Sequence, residues 1–432
     1  MSRTSDDDEL LRRRVINYFR GIPVSEYRRH GRLSVSKALG VPEQGNIRRV
    51  LPDVKANGPY DSLDPDDDPI QKQDLLEEQR LRNEISGLRA ENKRLKNWQL
   101  DERQILSSIS AAAEGLPVPE KLPSVIPTES GFEEETAVLV LSDAHIGRTI
   151  DAVEMEGMNA YDFSTFADRY WKVIDNAITI TRIQRYAIPI HNIHVLVLGD
   201  MFNDYQRPEN QQSNEMPELR GVLLGANVLA QGLSILTAHF DKVTVSCVVG
   251  NEPRTTMRKQ MRGGIERNLD WLGYQAMSLY LKPHIDEGLV EMNIPKAYRY
   301  LAEIMGHRVL IEHGDDVFKG TGGYGGVGWY SLFKGFISET MHRMEDGGID
   351  CLIIGHKHPE RLVWDNTRVN GSICGGDEYA RTALKKYSIP TQMFFGVSAK
   401  RIPTWEYSIH LDRTDGNSFV YDPDFLVAAV SA

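Results

Sequence analysis

Five short polar clusters constrain this chain more than any other feature, because each one closes an apolar run. They are Asp143-Ala144-His145, Gly199-Asp200, Gly250-Asn251-Glu252, His313-Gly314 and Gly355-His356-Lys357-His358. The runs before them are Ala137 to Leu141, His194 to Leu198, Val243 to Val249, Arg308 to Ile311 and Cys351 to Ile354. Runs this short and rich in Val, Ile and Leu predict buried strands. Carboxylate, amide and imidazole groups therefore stand where strands end and loops begin, which is where α/β folds place chemistry. Helical patterns over Phe163 to Tyr186, Pro217 to Phe240 and Tyr330 to Met344 alternate with these strands. Further β-structure is expected over Arg368 to Gly375 and Thr404 to Leu411. The expected class over residues 135–425 is α/β with a mixed sheet.

The clusters together supply two Asp, one Asn and four His. Hard oxygen ligands mixed with imidazoles suit Mn, Fe or Zn better than Ca or Mg alone. Seven such ligands exceed the need of one tetrahedral site and suit two ions sharing a carboxylate. Two ions about 4 Å apart suit hydrolysis of a phosphate ester by activated water.

The order D-x-H, G-D, G-N-x, H, G-H-x-H resembles the calcineurin-like metallophosphoesterase superfamily over residues 137–411. The resemblance implies a metallophosphoesterase sandwich, two mixed β-sheets flanked by helices with a dimetal site at the sheet edge. It implies that Asp143, His145 and His358 hold the first ion and Asn251, His313 and His356 the second, with Asp200 bridging. Two divalent ions, Mn with Fe or Zn as alternatives, would be the cofactors. The Asp143-Ala-His145-Ile-Gly and Gly-Asp200-Met-Phe-Asn-Asp stretches look most like the Mre11/SbcD-like DNA nuclease branch, in a phage-type member. Nucleases of that branch often work with an ATPase, so an ATPase or a replication or repair partner is implied.

One position departs from the family pattern. Glu252 stands where the family has a histidine that serves the leaving group, and Pro253 and Arg254 follow. A carboxylate beside two cations is a poor proton donor at neutral pH. Three readings stay open: Glu252 acts as an acid with a raised pKa; Arg254 or another group serves the leaving oxygen; or the chemistry is slow and binding dominates. Asp200, Glu252 and Arg254 are thus the candidate catalytic residues. Beyond them, Arg254, Arg258, Lys259 and Arg262 would share one face if the stretch were helical, either as a track for a nucleic-acid backbone or as a solvated face. The glycine-rich stretch Gly320 to Gly328 lacks a P-loop ending and could present Tyr324 to a base or be a plain loop.

Residues 9–51 carry ten Lys/Arg against three acids in a chain of net charge -11. Leu10, Leu11, Ile16 and Phe19 form a helical stripe. Leu33 to Leu51 resembles a helix-turn-helix, with Val35 to Leu39 as first helix and Gly40-Val41 as turn. Gln44 to Leu51 would be the recognition helix, presenting Gln44, Asn46, Arg48 and Arg49 to DNA. The alternative is a small basic bundle that binds protein. An acidic, proline-rich linker follows over residues 52–70. Over 71–110, Leu81, Leu88 and Leu95 recur at heptad spacing with Ile85 and Asn92 on the alternate seam. This predicts a short, dimerising coiled coil, or else a solitary helix. A second, proline-rich linker is expected over 111–134.

A chain this acidic is no bulk electrostatic binder of nucleic acid, so DNA contact needs a local basic patch. Cys247, Cys351 and Cys374 are scattered and fit a reducing compartment. Met1 to Leu10 is polar and acidic, so no signal peptide is expected, and no apolar stretch approaches the roughly 20 residues that span a bilayer. No membrane association is expected; the expected location is the cytoplasm, that of a host cell for a phage protein. The leading functional expectation is a dimetal-dependent phosphodiesterase, a DNA exo- or endonuclease. The alternatives are a phosphomonoesterase on protein or nucleotide phosphate, and a DNA-binding regulator with a degenerate phosphoesterase domain.

Overall fold

The computed structural model describes residues 5–20, 32–40, 51–52, 81, 84–89, 115–123, 131–203, 213–256, 259–260, 262–315, 337, 339–340, 342–344, 347–364, 366–382, 387–414 and 416–422. The chain divides into two compact units, Met1–Gln99 and Leu100–Ala432.

In the first unit, helix α1 (Ser5–Phe19) and helix α2 (Arg32–Leu39) share a small core of Leu11, Val15, Phe19, Val35 and Leu51. Leu11, Val15 and Phe19 recur every four residues, so they fall on one helix face. Ile16 lies at the edge of this core. Helix α2 begins three residues before the expected Val35 and ends where expected, with Gly40 in the left-handed region at φ +62°. The Arg14 guanidinium donates to the Leu39 carbonyl at 2.8 Å, closing the end of α2 against α1. The expected recognition-helix residues Gln44, Asn46, Arg48 and Arg49 lie outside the described residues. Residues 81 and 84–89 are helical, and Leu81, Ile85 and Leu88 are about half exposed. Asn92 and Leu95 lie outside the described residues.

The second unit holds two mixed sheets. Strands β1 (Glu135–Leu141), β2 (Ile190–Val197), β3 (Lys242–Cys247) and β4 (Val290–Asn293) run parallel to their neighbours. Strands β10 (Thr391–Ser398) and β11 (Glu406–His410) extend this sheet antiparallel, in the order β11-β10-β1-β2-β3-β4. The second sheet has the order β5-β6-β7-β9-β8, from β5 (Arg299–Ile304), β6 (His307–Glu312), β7 (Cys351–Ile354), β8 (Arg361–Trp364) and β9 (Thr367–Val369). Here β6, β7 and β9 are parallel and the two edge strands antiparallel.

The sheets face each other. Val138 and Val140 of β1, Val309 and Ile311 of β6, Cys351 and Ile353 of β7, and Met393, Phe395 and Val397 of β10 form one buried cluster. Alternate residues of each strand point into it, as a period of two requires. Helix α3 (Phe163–Gln184) and helix α4 (Glu218–His239) pack against each other, and α4 also meets β3 and helix α5 (Leu269–Tyr280). The short helix α6 (Lys282–Asp286) follows α5, and helix α7 (Glu378–Thr382) lies between β9 and β10.

Two expectations are corrected, and two elements are added. Helix α4 is long and apolar enough to cross a membrane by length and composition, although no stretch was expected to be. Its most apolar stretch is 83% buried inside the protein, and its polar members are dispersed among apolar ones, so it is a core helix. Residues 115–123, expected as linker, are hydrogen-bonded to the domain, with Leu116 N–H donating to Tyr280 O at 2.8 Å and Leu122 N–H to Ala238 O at 2.9 Å. Helix α5 and strand β10 were not anticipated. Strand β10 is nevertheless the antiparallel neighbour of β1 and wholly buried.

Candidate metal centre

The parallel strands deliver the polar clusters to one place. Those after β1, β2 and β3 leave adjacent C-terminal ends of the first sheet, and those after β6 and β7 leave adjacent ends of the second. Sheet-on-sheet packing then closes the two edges over each other. All seven expected ligands converge there. Asp143, His145 and His358 form one group, Asp200, His313 and His356 a second, and His145, Asp200 and Glu252 a third that joins them; within each group the ligand atoms lie within 4.8 Å of one another. Asn251 completes the second group, its Oδ1 lying 3.1 Å from His313 Nε2.

The backbone is bent to do this. Asp143, His145, Asp200, His356 and His358 all have positive φ, between +46° and +68°. Among described non-glycine residues only Glu156 and Met305 share that conformation. Each such residue costs on the order of 1–3 kcal/mol and persists where surrounding structure over-determines it. Here hydrogen bonds between loops do so. His356 N–H donates to Asp143 Oδ2 at 3.0 Å, His145 N–H to Asp200 O at 3.0 Å, and Glu252 N–H to Asp200 Oδ1 at 2.8 Å. The loops also approach too closely for a side chain at Gly250, where a Cβ would lie 2.0 Å from Asp200 Oδ1.

Second contacts fix which ring nitrogen faces the centre. His313 Nδ1 donates to Leu198 O at 2.8 Å and His358 Nδ1 to Gly375 O at 3.2 Å, so both present Nε2. His145 Nε2 lies 3.3 Å from His358 Nε2, with Asp143 Oδ1 3.6 Å from the latter. Asp143 Oδ1 is buried and accepts no hydrogen bond. Asp143, Asp200 and Asp270 are each almost fully buried, and Glu252 is partly so. A cation would compensate buried carboxylates crowded against inward-facing imidazole nitrogens. The donor set therefore fits divalent metal.

Without metal, protons take part of that role. Burial alone would lower the His313 pKa, but the Asp200 charge, 2.9 Å from Nε2, and the hydrogen bond between them outweigh it and push it up to about 10. The reciprocal attraction holds Asp200 below the usual carboxylate range despite its burial. For His145, burial is likewise outweighed, by Glu252, and its pKa is raised. His356 goes well below the usual range, through burial and the neighbouring His313 charge. The sign for His313 is that of a raised base. Its contribution to the stability of metal-free protein is complete below pH 6.5 and disappears as pH rises towards 10. Metal must displace that proton, so affinity should climb over the same window, with close to one proton released from this group per ion bound near pH 8. Titration calorimetry in buffers of different ionisation enthalpy measures the release; none at pH 8 would refute the assignment.

A residue not anticipated from sequence organises the centre. Asp270, fully buried in the first turn of α5, accepts four backbone N–H bonds: Asp200 at 2.9 Å and Gly250 at 2.8 Å to Oδ2, Met201 at 3.0 Å and Phe202 at 3.2 Å to Oδ1. Asn268 caps the same helix through Asp270 N–H and donates to Gly250 O at 2.9 Å. The start of α5 thus clamps the loops carrying Asp200 and Asn251. A signal was present: an Asn cap followed by Asp at the second helical position. Gly273, a helix-weakening residue, obscures it; a Cβ there would lie 2.2 Å from the Phe202 ring.

No helix forms among the described residues of the basic stretch. Arg254 sits in an isolated bridge with Asn268, residues 255–256 and 259–260 are not helical, and 262–263 form a turn. The Arg254 guanidinium turns back onto the Asn251 carbonyl. Lys259 pairs with Asp315 at 2.7 Å and lies over the Tyr298 ring. Arg262 is exposed. Arg258, Tyr324 and the rest of the glycine-rich stretch lie outside the described residues.

The fold and site define a two-sheet α/β sandwich carrying a buried His/Asp centre of metal-ligand type at the edge of both sheets. No protein-family model matches the chain, and no curated protein matches it. Solved structures similar to it include wild-type Vps29 of Entamoeba histolytica complexed with zinc, at 14% identity over 66% of this chain and 98% of that one, TM-score 0.26. Vps29 of Cryptosporidium parvum is similar at 13% identity over 62% and 87%, TM-score 0.27. A conserved protein of Streptococcus pneumoniae, described as a predicted phosphoesterase, is similar at 11% identity over 64% and 98%, TM-score 0.23.

Proposed function

We propose that this protein is a metal-dependent phosphoesterase and, within that class, a phosphodiesterase acting on DNA. The observation that carries the reading is the joined pair of ligand groups, Asp143/His145/His358 and Asp200/His313/His356, at one sheet edge. Divalent ions held there, Mn foremost, would supply the Lewis acidity and activated water that phosphate-ester hydrolysis needs. Asp143, His145 and His358 would hold one ion, Asn251, His313 and His356 the other, and Asp200 would be shared. The chain's own part is to hold these groups in a dry, strained, cross-linked frame, so that little reorganisation accompanies the reaction. Hydrolysis of labelled DNA and of p-nitrophenyl phosphate, each with added Mn, tests the reading. DNA cleavage that His356→Ala abolishes supports it; p-nitrophenyl phosphate hydrolysis without DNA cleavage supports a phosphomonoesterase instead. The engagement of Lys259 by Asp315 and of Arg254 by Asn251 favours that second reading, because these two cations of the expected backbone track are already committed.

DNA as the substrate rests on residues 9–51, whose basic excess stands out in an acidic chain. A dimer through the helix containing Leu81, Ile85 and Leu88 would pair two such units, and the exposure of these apolar side chains accords with it. Deleting residues 1–70 should weaken DNA binding and flatten its salt dependence. Extending the deletion through residue 110 should also convert a dimer to a monomer, as read by sedimentation. An unchanged salt slope would exclude the DNA-binding assignment, and an unchanged number of chains per particle the dimer through this segment.

A further inference from the structure

Glu252 occupies a place that the metal-ligand histidines leave open. His313 and His358 each have Nδ1 anchored on a backbone carbonyl, Leu198 and Gly375. His145 has no such carbonyl. Its side chain is only 1% exposed, and its Nδ1 finds no acceptor in hydrogen-bonding alignment. Glu252 Oε2 stands 3.3 Å from that nitrogen. A buried ring N–H without an acceptor is costly, and the Glu252 carboxylate is the acceptor placed beside it. The Glu252 backbone is already held, its N–H donating to Asp200 Oδ1 at 2.8 Å. His145 Nε2 faces His358 Nε2 at 3.3 Å, towards the Asp143 group.

We infer that Glu252 is a positioning residue: its carboxylate accepts the Nδ1 proton of His145, fixing the tautomer that turns the Nε2 lone pair to the ion held with Asp143 and His358. Carboxylate–histidine–metal arrangements of this kind orient the ring and raise its basicity. The inference rests on the metal-centre reading proposed above. It gives the departure at position 252 a purpose other than proton donation, because a carboxylate engaged by an imidazole N–H is an acceptor.

The test is calorimetric titration of Mn into chelator-treated wild type, Glu252→Ala and Glu252→Gln, with ¹⁵N-histidine spectra of the zinc-loaded proteins. Glu252→Ala should bind the same number of ions with one site weakened about 10- to 100-fold. Glu252→Gln should recover most of that loss, because its amide oxygen still accepts. The His145 Nδ1–H resonance should be protected in wild type and exchange rapidly in Glu252→Ala, while those of His313 and His358 stay unchanged. Loss of a whole ion equivalent in Glu252→Gln would make Glu252 a direct ligand and overturn the inference. Wild-type affinity in Glu252→Ala would overturn it while leaving the metal centre intact. A wild type that binds no metal would overturn both.

Discussion

Asp200→Asn should abolish metal-dependent hydrolysis, lowering the rate by at least about 10³-fold, equivalent to about 4 kcal/mol of barrier. Asp200 belongs to both the second and the joining ligand groups, so its charge stands between His145 and His313. Its Oδ2 lies 2.9 Å from His313 Nε2 and its Oδ1 accepts the Glu252 N–H. Asparagine can keep the latter bond and the side-chain shape, so the loops should stay in place while the shared negative charge is lost. The control is thermal. Saturation of the wild type with Mn at 100 times its Kd should add about 2.7 kcal/mol of stability, and the variant should show a much smaller gain. Wild-type hydrolysis by Asp200→Asn would remove Asp200 from the centre.

Asp270→Ala should be the most destabilising single change at this end of the molecule. It strands four buried backbone N–H groups, each costing about 1–3 kcal/mol when left unpaired. A total of about 4 kcal/mol or more is expected, or a fall in Tm on the order of 10 °C. Asp270→Asn should recover only part of this, because one amide oxygen cannot serve both pairs of donors and the amide nitrogen would face N–H groups. Metal affinity should fall with stability, since the same four bonds hold the Asp200 and Asn251 loops. Thermal melts with and without Mn measure both effects. A melt within 2 °C of wild type, the scale of a neutral surface change, would show that the loops do not depend on this carboxylate.

The candidate ligands were legible because each ends an apolar run, and a run of Val, Ile and Leu closed by Asp, Asn or His is a strong local pattern. Strands β1 and β7 fall close to their expected bounds for the same reason. At Asp270 only a helix start was marked locally, by the Asn268 cap; its clamping role was not legible, because its four partners lie 20 to 70 residues away in sequence. The basic stretch after Asn251 misled because charge spacing was read as helix, and charge spacing alone does not make one; its described residues form none. Residues 115–123 read as linker from their prolines, yet hydrogen bonds to Ala238 and Tyr280 make them part of the domain.

Sequence alone determined the inventory of the centre: which side chains end strands, and that their donor types suit divalent metal. It could do so because strand patterning and ligand chemistry are local properties. Only the tertiary structure decided that the ends of two separate sheets meet, that five of the ligand residues are held at positive φ, and that Asp270 and the N-terminus of α5 lock the loops. It also decided that Glu252 faces His145. Those facts depend on packing between segments far apart in the chain, where the strain at the strand ends is offset by hydrogen bonds that no single segment contains.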